Sequence, residues 1–403
     1  MCLTSCGGLP LFTRKKGDGE ALPFSVVASL NGVYMFGKSL SAIMKSTSTE
    51  DCTVVWREFE DSITLIVSAY GVPKCELEEF LEMVFNAMLL HVGVQELREP
   101  RNVERLKRDL RVCYPLLDRL LSCIHPVGGG DRVGVRGCSQ LTGMVECVLC
   151  HENNVLQAYL EAHVESLGSM YGCVLLHGRL SVATPGWWSL TPQERTLLTL
   201  LVSSDPITSL RDMPVFLPTK SPDVPFRLVT VQVVPGIEIL TLCGPTPTLS
   251  EVESLTAMTW RQSGDVLRSL VVPRTLPPSL GLDRNILGVL LVNPEIGKYV
   301  MCTDPHGEAG KEGQAPNSAH RASTLHTFHR KMTTTFLSQN SSTVSTASTD
   351  AASSSKQSVK PPVQYRALET YWCSEFHKCH ALLAPPSQLF VLYAAAVPVP
   401  TTR

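Results

Sequence analysis

The run Thr53-Val54-Val55-Trp56-Arg57-Glu58-Phe59-Glu60-Asp61-Ser62-Ile63-Thr64-Leu65-Ile66-Val67-Ser68-Ala69-Tyr70 decides how the chain folds. Residues 53–60 and 62–70 read as paired strands. In the second, Ile63, Leu65, Val67 and Ala69 alternate with Thr64, Ile66 and Ser68, the period of a half-buried strand, which Ile66 breaks. Downstream, Leu77, Phe80, Leu81, Val84, Phe85, Met88, Leu89 and Val92 form the apolar stripe of a helix. A second stripe follows from Val103 through Leu106, Leu110, Cys113, Leu117 and Leu120 to Ile124, and Pro115 should kink or split it. Upstream, a helix is expected over 22–40. Pro23 suits its first position, and Val26, Val27, Leu30, Val33, Tyr34 and Gly37 recur at helical spacing. Two short apolar runs, 2–8 and 9–14, precede it.

The pattern recurs along the chain. Residues 1–124 form a first domain and the glycine-rich stretch 125–137 a linker. A second domain spans 138–272, with a helix at 153–166 and strands at 171–177 and 179–184. Thr191-Pro192-Gln193-Glu194 is a capping box that starts a helix. Strands at 226–234 and 237–243 flank Pro235-Gly236, a type II turn, and a helix follows at 249–260. A third, partial domain spans 283–403. It has a hairpin of 286–292 and 298–303 around Asn293-Pro294, a helix over 320–336 and a disordered Ser/Thr-rich insert at 338–358. After Tyr365 no domain end is legible. The fold class is therefore α+β, a module repeated three times, each a small, mostly antiparallel sheet with packed helices.

Composition bounds the function. The 403 residues are 44% hydrophobic and 18% charged, enough for buried cores. A net charge of −2 gives no whole-chain attraction to nucleic acid or anionic lipid, so no nucleic-acid partner is expected. No stretch reads as a secretory signal or a membrane span; residues 389–399 are too short and hold Pro398. The expected compartment is the cytosol. There the fourteen cysteines, Cys113, Cys173, Cys243 and Cys302 among them, act as small core hydrophobes.

Three motifs suggest chemistry. Gly32-Val33-Tyr34-Met35-Phe36-Gly37-Lys38-Ser39 spells a P-loop, which would make Lys38 a nucleotide ligand of an enzyme. It falls inside the 22–40 helix, however, and its interior is bulky. Cys147-Val148-Leu149-Cys150-His151 spells a haem attachment motif within an apolar, strand-like run. Cys373, His377, Cys379 and His380 crowd together without the paired spacing of a zinc finger. Packing explains each more simply, so no catalytic residue, cofactor or metal is expected. Arg101, Arg105, Arg108 and Arg111 lie along one helix face, which suits acidic headgroups, an acidic partner or bare solvent. Of Trp187 and Trp188, one should anchor a core and the other be partly exposed, open to a partner.

Longer stretches carry a resemblance. Leu22-Pro23-Phe24-Ser25-Val26-Val27-Ala28-Ser29-Leu30-Asn31-Gly32-Val33, Thr53-Val54-Val55-Trp56, Asp61-Ser62-Ile63-Thr64-Leu65-Ile66-Val67 and Asn102-Val103-Glu104-Arg105-Leu106-Lys107-Arg108-Asp109-Leu110 are similar to the Fuzzy family of planar cell polarity effectors. So are Gly186-Trp187-Trp188 and Leu242-Cys243-Gly244-Pro245. The resemblance implies three longin domains and a non-catalytic subunit of the ciliogenesis and planar polarity effector complex, with Inturned and a WD-repeat protein. That complex serves ciliary trafficking at the basal body, with peripheral membrane contact and a Rab-type or Ras-like small GTPase as further partners. Related tri-longin pairs act as exchange factors for Rab-type GTPases, so any exchange activity would belong to the heterodimer with Inturned. The N-terminus reads as clipped, so the first strand is expected to be short or to miss its usual lead-in, and the departure from the family after about Thr303 implies an incomplete third domain. The partner is expected on the first domain, at an exposed sheet edge and the 22–40 helix, with Met35 and Phe36 off its main stripe.

Overall fold

The computed structural model describes residues 1–17, 22–124, 143–204, 208–270, 276, 280–303, 316–333 and 368–398. The expected linker at 125–137 and the insert at 338–358 lie outside them. The chain divides into two compact units, Met1–Ser279 with Ile296–Val300, and Leu280–Glu295 with Met301–Arg403.

The first unit holds two repeats. The first repeat runs β1 (Cys2–Thr4), β2 (Pro10–Phe12), α1 (Phe24–Ser39), β3 (Ser46–Ser48), β4 (Cys52–Phe59) and β5 (Ile63–Tyr70). There follow α2 (Lys74–Val92), α3 (Val94–Arg98), α4 (Val103–Asp109), a 3-10 turn Leu110–Cys113, and α5 (Tyr114–Ile124). Pro115 splits the last stripe in two, as its missing N–H requires. Pro23 sits at the N-cap and not at the first helical position expected of it.

The sheet order is β2-β1-β5-β4-β3, and every pairing is antiparallel. Glu60 and Asp61, at φ 52° and 53°, form the tight turn that sets Phe59 opposite Ile63. The register also explains Ile66. Val55, Phe59, Ile63 and Leu65 face α2, while Trp56 and Ile66 join Leu3, Val27 and Tyr34 beneath α1. The strand is buried on both faces, so its apolar residues need not alternate.

The second repeat runs β6 (Val145–Glu146), α6 (Asn153–Ser166), β7 (Tyr171–Leu176), β8 (Arg179–Ala183), α7 (Pro185–Trp188) and α8 (Pro192–Ser204). Then come β9 (Leu210–Leu217), β10 (Ser221–Val234), β11 (Ile237–Cys243), α9 (Leu249–Trp260) and α10 (Gly264–Ser269). Its order, β8-β7-β11-β10-β9, matches the first sheet strand for strand. The sequence reading missed β9. As an edge strand it tolerates Pro214, and it carries Arg211 and Asp212, so its apolar signal is weak. Asp212 pairs with Arg227 across the ladder.

The capping box forms as read. The Thr191 N–H donates to Glu194 at 3.0 Å, and the Glu194 N–H donates to the Thr191 hydroxyl at 3.2 Å. Gly236 has φ +86°, and a Cβ there would stand 2.5 Å from the His177 ring. Gly236→Ala is therefore expected to destabilise the second repeat by about 1–3 kcal/mol, read as a lowered denaturant midpoint. An unchanged midpoint would mean that the turn relaxes freely.

The two repeats share one core. α2 buries eleven residues, more than its stripe predicts, because β9 and α8 cover its other side. Asn86 on that side donates to Gln193 at 3.1 Å. The segment Ile296–Val300 also belongs to this unit. Lys298 and Tyr299 pair in parallel with Val145 and Glu146, and the Val148 N–H donates to Leu180 of β8 at 2.9 Å.

The second unit contains β12 (Ile286–Asn293), the end of β13 (Lys298–Cys302), α11 (Pro316–Met332), β14 (Glu369–Cys373), β15 (His377–Ala384) and β16 (Ser387–Ala394). β14, β15, β16 and β12 pair in that order, antiparallel, under α11. The tail that gave no legible domain end thus forms three strands. Their inward positions include Cys379 and Ala381, whose small side chains give little contrast with their neighbours. Along the chain, strand–strand–helix–strand–strand–strand occurs three times.

Candidate docking surface

α1 and α8 occupy the same place in their repeats, between the second and third strands, yet their surroundings differ. α8 buries ten consecutive residues, 194–203, because α2 and α5 of the first repeat cover the side turned away from its own sheet. α1 buries only Val27 and Tyr34. Its outer side carries a second apolar stripe, Val26, Val33, Phe36 and Leu40, spaced 7, 3 and 4 residues apart like a coiled-coil seam. All four are exposed, Phe36 to 66%, as are Phe24 and Ile43 at the two ends. A helix apolar on two sides, with one side open, presents an exposed apolar stripe of the kind on which another element can pack.

Met35 and Phe36, paired in the sequence reading as lying off the main stripe, part company here. Met35 packs against the Val27–Tyr34–Trp56 cluster beneath the helix, and Phe36 alone of the two points outward. The difference is rotation: successive helical residues lie about 100° apart.

The P-loop lettering lies within α1, where the backbone N–H groups serve helical hydrogen bonds and leave no phosphate cradle. The Lys38 ammonium donates to both Glu58 carboxylate oxygens, at 2.6 and 2.8 Å, and Tyr34 donates to the same group at 3.1 Å. Burial would raise the Glu58 pKa, but hydrogen bonds from Lys38, Ser5 and Tyr34 outweigh it and hold the carboxyl below its usual value. Lys38 thus fastens the end of α1 to β4.

Arg105, Arg108 and Arg111 are exposed along α4 and the 3-10 turn that follows, with Val112 exposed beside them, whereas Arg101, exposed too, lies in the bend before the Asn102 N-cap and not on the helix face expected of it. Asp109 pairs with Arg105 at 3.5 Å and with Arg108 at 3.8 Å. The ridge keeps a net positive field.

Trp187 is fully buried and Trp188 half-buried, the division the sequence suggested. The Trp188 ring is not bare. The Arg195 guanidinium lies 4.9 Å and the Lys298 ammonium 5.1 Å from its centre.

The cysteine motifs come apart. Cys147 follows β6, and burial raises its thiol to about 12; burial also raises Cys150. His151 is exposed. In the β14–β15 hairpin, Cys379 is buried under α11, while His380, the next residue, turns to the opposite face and stacks on Tyr371 at 4.4 Å. His377 meets His320 of α11 instead, at 5.5 Å. No group of three metal-ligating side chains occurs among the described residues. Cys113, Cys173, Cys243 and Cys302 are buried free thiols, as the sequence reading had them. No described helix is long and apolar enough to cross a membrane.

The chain is similar in sequence to known proteins. The family model described as "First Longin domain of FUZ, MON1 and HPS1" matches residues 1–120, and that described as "Second Longin domain of FUZ, MON1 and HPS1" matches residues 167–261. A Xenopus tropicalis protein named "Protein fuzzy homolog" is 38% identical over 411 residues, covering 100% of this chain and 94% of that protein. Its human namesake is 41% identical over 344 residues, 83% of this chain and 78% of that protein. The rat namesake is 40% identical over the same length. Identity at this level across most of both chains, on top of two matched longin domains and a third sheet, places the chain in the Fuzzy family of longin-domain proteins.

Proposed function

We propose that this chain is a non-catalytic docking subunit of a planar cell polarity effector complex, assembled with Inturned and a WD-repeat partner. In this reading the complex supports cilium biogenesis and protein and membrane trafficking to the basal body, and the chain works in the cytoplasm and at the cytoskeleton. The observation that carries it is the open outer stripe of α1. Its counterpart α8 is sealed by a helix layer from the neighbouring repeat, so α1 is shaped to receive a similar layer from another chain. The occupant is then a helix pair of the longin-type partner Inturned, resembling α2 and α5.

Charge on the outer stripe tests this without touching the core. Val33→Asp with Phe36→Asp is expected to weaken the partner complex by about thirtyfold or more while leaving the melting temperature unchanged. Met35→Asp should instead unfold the first repeat. A partner complex of unaltered affinity in the double variant would refute the docking face.

A second reading makes the heterodimer an exchange factor for a Rab-type GTPase. It draws on the family model that groups FUZ with MON1 and HPS1, and on the exchange activity of related tri-longin pairs. GDP release from candidate GTPases, measured with the purified heterodimer, separates the two readings: acceleration favours the second, and its absence leaves the docking role.

A further inference from the structure

Residues 101–112 hold five basic side chains, Arg101, Arg105, Lys107, Arg108 and Arg111, against two acidic ones, Glu104 and Asp109, in a chain whose net charge is −2. Arg105, Arg108 and Arg111 recur every three residues from the first turn of α4 to the 3-10 turn, and all three are exposed. They span about 10 Å, the length of two turns of an α-helix. β2 packs against α4, and Lys15 and Lys16, exposed just beyond β2, extend the positive field.

Neither local pairing nor the helix dipole explains this ridge. Asp109 is shared between Arg105 at 3.5 Å and Arg108 at 3.8 Å, and those arginine side chains are 61% and 73% exposed, so the pairs contribute little. Arg101 and Arg111 have no carboxylate partner among the described residues. Arg105 stands in the first turn of α4, three residues after the Asn102 N-cap, where the dipole disfavours a cation. Val112, beside Arg111, is 64% exposed. Its placement among the guanidiniums puts an apolar spot inside a cationic rim, the layout of a protein interface.

The residue type narrows the occupant. A guanidinium is weakly hydrated and grips a carboxylate with two parallel N–H groups, which an ammonium cannot do. A membrane fits less well. Glu104, exposed, and Asp109, half-exposed, lie among the cations, and a uniformly anionic surface would press on them too. A folded protein segment can leave those two carboxylates uncovered.

We infer that this ridge is a docking site for an acidic helical segment of a partner protein. Carboxylates on successive turns of that segment face Arg105, Arg108 and Arg111, and an apolar side chain covers Val112. The inference rests on charge and not on the open stripe of α1, so the two faces stand or fall separately.

The test is fluorescence anisotropy of the full chain with a labelled helical peptide that carries glutamates on successive turns and one leucine among them, at about 0.15 M salt. Saturable binding is expected, lost when glutamine replaces the glutamates and weakened as the salt concentration rises. Arg105→Gln with Arg108→Gln should weaken it about tenfold, and Val112→Ser about threefold. The melting temperature should not change, because all three side chains are exposed. Failure of the parent to bind, equal affinity for the glutamate and glutamine peptides, or equal affinity of the parent and the double variant would overturn the site. Cosedimentation with phosphatidylserine vesicles that displaces the peptide and depends on the same two arginines would make the ridge a membrane contact, and would overturn the protein partner.

Discussion

Lowering the pH from 7 to 5 is expected to unfold the second unit before the first. Four buried histidines drive the effect. Burial depresses His91, His163 and His329 to about 4, and burial with the neighbouring His329 and Arg330 depresses His326 to about 3. Unfolded histidine titrates near 6.5, so between that value and the folded pKa the unfolded chain binds the extra proton. Stability is complete above 6.5 and falls as the pH drops toward 4, by about 2 kcal/mol per histidine at pH 5.

Two of these residues lie in each unit, but the first unit has a counterweight. Burial raises Glu146 to about 7, outweighing the opposite effects of Arg179 and Tyr299. Its folded form holds a proton that the unfolded form lacks between pH 7 and 4.5, so this group adds stability on acidification and loses it as the pH rises through 7. That gain, about 2 kcal/mol at pH 5, offsets one histidine in the first unit. The second unit has no described counterpart. Trp372 is its one tryptophan, stacked on Phe328 at 5.9 Å, and it reports the loss. The fluorescence difference between the parent and Trp372→Phe should change with a midpoint above that of the remaining four tryptophans. His326→Leu with His329→Leu should move that midpoint to lower pH. A single coincident transition, or no response to the double substitution, would contradict the assignment.

Trp187→Ala is expected to cost about 3–5 kcal/mol, and Trp188→Ala only about 1–2 kcal/mol, although the residues are adjacent and identical. The Thr184 hydroxyl caps the short α7, accepting from the Trp187 N–H at 3.2 Å and donating to the Met170 carbonyl at 2.7 Å. Gly186 lets this turn press against β7, since a Cβ there would stand 2.1 Å from the Met170 oxygen. Trp187 is thereby driven into the core shared by Leu175, Leu197 and Leu240, with no solvent contact. Its indole N–H has no described acceptor, so Trp187→Phe should recover most of the loss. Trp188 loses chiefly its stacking with Arg195 and Lys298. Equal denaturant midpoints for the two alanine variants would contradict this division.

The sequence by itself determined the local elements. The helices at 153–166 and 249–260, the capping box at Thr191 and the turn at Gly236 stand where their residues require. Each depends on interactions within a few positions, which chain order already specifies. Only the tertiary structure decided which helix faces stay open. α1 and α8 are both apolar helices in equivalent places, and the difference lies in α2 and α5, which land on one and not the other. The same holds for Arg195, whose neighbours Lys298 and Ile296 lie about a hundred residues away along the chain. It holds too for the cysteine–histidine cluster, which strand alternation divides between two faces. Periodicity records that a side is apolar; what covers that side depends on segments brought together only when the sheets and helices pack.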